Sequence, residues 1–97
     1  MWIGWIEFDL LLGDVHSLKE KRAIIRPLIA ELRRRFQLAV AEAGHLDLHR
    51  RSLVGVSAVS ADHAHLVLVF DEVERFVGGR QEVQVLSAGR GFARSDD

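Results

Sequence analysis

The chain has 97 residues, enough for one domain with a real core and too few for two. At 48% hydrophobic and 28% charged it has the balance of an ordered globular chain. The absence of cysteine excludes disulfides, thiol catalysis and cysteine-ligated zinc, and a formal net charge of −1 leaves any attraction to nucleic acid to a local patch.

Residues 2–12 alternate on a period of two: Trp2, Gly4, Ile6, Phe8, Leu10 and Leu12 share one face, and Ile3, Trp5, Glu7, Asp9 and Leu11 share the other. This predicts a central strand with one apolar and one mixed face. The same stretch lacks a basic leader and carries Glu7 and Asp9, so no signal peptide is expected, and no apolar run approaches the ~20 residues of a membrane span.

Gly13-Asp14 turns the chain into a helix over Ser17 to Phe36. Ser17 and Glu20 form an S-x-x-E capping box. Leu18, Ile25, Leu28, Ile29, Leu32 and Phe36 recur at helical spacing as the core stripe. Lys19, Arg22, Arg26 and Arg33 fall within about 60° of arc and make a basic ridge along one flank. Pro27 removes one N–H and crowds the carbonyl of Ala23, yet the apolar phase continues past it, which predicts a bent helix rather than two.

Leu38–Gly44 and Leu53–Ser60 read as a hairpin of strands around a polar loop, His45 to Arg51. A second helix capped by Ser60 or Asp62 carries Leu66, Val69, Phe70, Val73, Phe76 and Val77 on one face and stops at Gly78-Gly79. Glu82–Ala88 is the last strand, and 89–97 is expected to be a frayed tail. The order βαββαβ predicts a single α+β domain, 1–97, of ferredoxin-like architecture: a four-stranded antiparallel sheet, order 4-1-3-2, with two helices on one face.

Chemistry is sparse. No Ser/His/Asp set, G-x-S-x-G elbow, P-loop or G-x-G-x-x-G occurs, so no catalytic residue and no cofactor is assigned. Glu42, His45, Asp47 and His49 gather imidazoles and carboxylates in the hairpin, but without the tight spacing of a ligand motif, so no metal site is assigned either. His63 and His65 open the second helix, where a protonated imidazole would oppose the helix dipole, and are expected to be surface residues. The basic ridge, with Arg50 and Arg51 expected to gather near Lys19, suits phosphate contact: Lys19, Arg22, Arg26, Arg33, Arg50 and Arg51 are the candidate nucleic-acid-binding set. On the uncovered sheet face Ile3, Trp5, Leu11, Leu53 and Val59 form an apolar surface suited to a second copy, so a homodimer is the competing expectation.

Trp2-Ile3-Gly4, the run Ser17 to Arg22, the hairpin residues Ala41 to Leu48 and the segment Val59 to His65 resemble the YlxP-like family of small bacterial proteins of unknown function. The resemblance covers roughly residues 2 to 88. It implies a ferredoxin-like fold, a cytoplasmic location, and a role near RNA or the ribosome, because genes of the family often lie beside translation-initiation and ribosome-maturation factors. It carries over no catalytic residue. Pro27 and His49 depart from the family pattern.

Overall fold

The computed structural model describes residues 1–96. The elements run β1 (Trp2–Leu12), α1 (Leu18–Phe36), β2 (Ala39–Gly44), β3 (Arg51–Ser60), α2 (His63–Gly78) and β4 (Val83–Arg94). The sheet is antiparallel throughout, with order β2-β3-β1-β4, the expected ferredoxin-like topology read from its other edge. Ile6, Phe8, Leu10 and Leu12 of β1 and Val54 and Val56 of β3 face the helices and are buried against Ile25, Leu28 and Leu32 of α1 and Phe70, Val73 and Val77 of α2. One sheet face is thus sealed by both helices, and the other is open.

The start of α1 is capped nearly as its sequence dictates. Ser17 Oγ accepts from the Glu20 N–H at 3.1 Å, while the Glu20 carboxylate reaches back one residue further, accepting from the His16 N–H at 2.7 Å. The helix runs unbroken through Pro27, which lies exposed on the side away from the core stripe. At the far end Gln37 takes a left-handed conformation (φ 54°) and returns its N–H to the carbonyl of Arg33.

Most of the expected frayed tail is strand, and Asp97 lies outside the described residues. Residues 89–94 continue β4 along β1, with Gly91 opposite Trp5 and Arg94 opposite Trp2, and the Ser95 N–H closes on the carbonyl of Met1 at 2.9 Å. Glycine would ordinarily weaken a strand, but at Gly91 the space is occupied: a Cβ there would sit 2.1 Å from the indole of Trp5. On the helix side Arg90 donates to Asp71 and Glu74 of α2, each at 2.8 Å, and Phe92 packs edge-on against His63 at 4.6 Å. His63 is accordingly no free surface residue. It lies half-buried between Trp2 (4.7 Å) and Phe92, closing that end of the core, whereas His65 is exposed.

Candidate nucleic-acid interface

Lys19, Arg22 and Arg26 stand on successive turns of α1 and line a shallow cleft of about 410 Å³ with Ala23 and Pro27. All three are exposed, and none has a carboxylate within ion-pair distance among the described residues. Most other cations are already engaged. Arg51, Arg80, Arg90 and Arg94 each hold a carboxylate at 3.0 Å or less.

Three members of the candidate set do not join this cleft as free charges. Arg33 continues the ridge along α1 but donates from Nη2 to the carbonyl of Val40 at 2.6 Å, tying the end of the helix to β2. Arg50 donates from Nε to the carbonyls of Leu12 (3.2 Å) and Gly13 (2.8 Å), latching the hairpin to the end of β1. Arg51 pairs with Leu11 in register, which puts its side chain on the open sheet face, away from α1. There it makes a two-pronged bond to Asp9, with Nη2 at 2.7 and 2.6 Å from the two carboxylate oxygens. That hydrogen bond is the main cause holding the Asp9 carboxyl below the usual carboxylate range. The physical reason is common to all three: an arginine beside an open carbonyl or a carboxylate is drawn into the fold's own hydrogen bonding.

The most consequential cation was not among the candidates. Lys21 is 2% exposed. Its Nζ lies 2.8 Å from Glu42 Oε2 and donates to the carbonyls of His45 (2.7 Å) and Leu48 (2.8 Å). Glu42 Oε2 also accepts from Ser52 Oγ at 2.7 Å, and Ser52 is itself fully buried. An ammonium with three acceptors is a satisfied buried charge, and it fixes the hairpin loop to α1. Its position was legible: Lys21 precedes Ile25, Leu28 and Leu32 by four, seven and eleven residues, which places it inside the apolar stripe.

The remaining loop residues disperse. Glu42 is committed to Lys21; His45, at φ 57°, turns its Nε2 toward Asp9 at 3.5 Å; Asp47 and His49 are exposed. No group of three or more His, Asp or Glu side chains is arranged to hold a metal ion among the described residues.

On the open face, Trp5 (40% exposed) and Val59 (60%) are the most accessible of the apolar set, with Ile3, Leu11 and Leu53 half-buried. Leu68 of α2 adds a separate exposed apolar side chain on the helical side. No described helix is long and apolar enough to cross a membrane.

Residues 3–90 match the family described as "Protein of unknown function (DUF503)". The chain is also 28% identical over 82 residues to "Uncharacterized protein YlxP" of Bacillus subtilis (strain 168), an alignment covering 84% of this chain and 89% of that protein. The YlxP-like resemblance carried by the helix-opening and hairpin motifs thus extends over nearly the whole fold, and the chain belongs to the DUF503 family.

Proposed function

We propose that this is a non-enzymatic cytoplasmic protein that binds RNA, free or within a ribosomal particle, through the exposed flank of α1. The observation that carries the reading is that Lys19, Arg22 and Arg26, beside a common cleft, have no carboxylate partner among the described residues, in a chain that pairs four other arginines with its own carboxylates. At about 1.5 Å per residue the three span roughly 10 Å of helix axis, so they present a short row of positive charge. Such a row suits a phosphate backbone, whose contacts position a nucleic acid without reading its bases. Arg34, next along the helix and exposed, extends the field. The open sheet face is the poorer candidate for RNA, because Glu7 has no ion-pair partner there among the described residues and Asp9 consumes Arg51. A role near the ribosome is also what the family resemblance implies.

Co-sedimentation of the protein with ribosomal subunits from a lysate tests this. Association at low salt, released at high salt and lost in the Arg22→Glu/Arg26→Glu variant, is the expected result. Absence from both subunit and RNA fractions at low salt would refute it.

A further inference from the structure

The open sheet face is stepped. Trp5 lies against Gly91 of β4, so its indole covers the backbone and raises that half of the face. On the other side of Trp5, over β3 and β2, Ala39, Ala41, Gly55 and Ser57 line a trough of about 360 Å³, bounded by Trp5 and Glu7. A raised half beside a lowered half makes a surface complementary to itself. A two-fold axis lying in the face, parallel to the strands and between β1 and β3, sets each raised half over the other copy's lowered half.

The size fits. Four strands at about 4.8 Å, the longer ones ten to twelve residues at about 3.4 Å, give a face of roughly 650 Å² per copy, close to the ~800 Å² per partner of a standard stable interface. The charge also fits a protein partner better than a polyanion. Asp9 and Arg51 neutralise each other at 2.6 Å, and Glu7 has no ion-pair partner among the described residues.

We propose that the occupant of this face is a second copy of the chain, with Trp5 of each copy seated in the trough of the other. The desolvation of Glu7 opposes association and sets the affinity in the moderate range. Because both helices lie on the reverse side of the sheet, the dimer leaves the Lys19/Arg22/Arg26 cleft of each copy outward, so this pairing does not depend on the RNA reading.

Analytical ultracentrifugation of the full chain from about 1 to 100 µM, spanning the usual range of moderate affinities, tests it. The wild type is expected to shift from monomer to dimer across this range. Trp5→Glu removes the raised element and Ala41→Trp fills the trough. Each is expected to weaken association at least tenfold with an unchanged circular dichroism spectrum, since both positions are exposed. Leu68→Glu, on the helical side, should leave the dimer intact. A wild type that stays monomeric at the highest concentration would overturn the proposal. So would a dimer that survives both sheet-face substitutions, or one abolished by Leu68→Glu.

Discussion

Replacing Lys21 by methionine isolates the interaction on which the hairpin end of the fold depends. The substitution keeps the apolar stem and deletes the ammonium, leaving the Glu42 carboxylate partly buried with only Ser52 as donor, and freeing the carbonyls of His45 and Leu48. Breaking one side of a buried pair typically costs about 3–5 kcal/mol. The two carbonyls cost less, because a surface loop can turn them to water. For a domain of this size each kcal/mol moves the midpoint by about 4–8 °C, so Lys21→Met should lower Tm by roughly 15–30 °C in thermal denaturation followed by circular dichroism. Lys21→Met combined with Glu42→Leu removes both charges and should recover part of that loss, because a buried pair is often near break-even against apolar replacements. The two effects are then non-additive, as contacting residues require. A loss below about 1 kcal/mol for the single variant, or simple additivity in the double, would refute the clamp.

Pro27→Ala restores the N–H that can bond the Ala23 carbonyl at a solvent-facing position, and should stabilise the protein by about 1–3 kcal/mol in urea unfolding. Gly4→Ala drives a Cβ to 2.7 Å from the Phe70 ring, and should destabilise by about 1–3 kcal/mol in the same assay. Asp9 is more acidic in the folded protein than in the unfolded chain, so the unfolded state binds more protons across that interval. Its contribution is therefore present above the unfolded value near 3.9 and disappears as pH falls through the lower folded value. Asp9→Asn should flatten the acid limb of a stability–pH curve in that window while leaving its slope above pH 5 unchanged.

The element order was legible because it rests on periodicity. The alternation of residues 2–12, the stripe from Leu18 to Phe36 and the stripe from Leu66 to Val77 each have one solution in which the apolar side is covered, and the observed strands and helices follow it. The end of β4 was not legible for a local reason. Gly89 and Gly91 read as a break, and only the indole packed from β1 explains why glycine belongs at Gly91. Arg90 and Phe92 do alternate with them, a period-two signal masked by the glycines. The fate of the arginines was legible only in part. Helical spacing grouped Lys19, Arg22 and Arg26 on one flank, where they are found. The Val40 carbonyl that takes Arg33 lies only seven residues on, just past the helix end, but nothing local announced that Arg50 would be taken by carbonyls 37 and 38 residues away or that Arg51 would meet Asp9 across the strand pair. The Arg50 and Arg51 partners are set by strand register, which is a tertiary property.

Fluorescence anisotropy of a labelled RNA oligonucleotide across a salt series reads out whether the α1 flank holds RNA by its phosphates. Three phosphate contacts predict a slope of log K against log[salt] of about −2 to −3 for the wild type. Arg22→Glu/Arg26→Glu should then lower affinity at least tenfold and reduce the slope to about −1 or less. Binding that ignores salt, or an affinity unchanged by reversing those two charges, would contradict it.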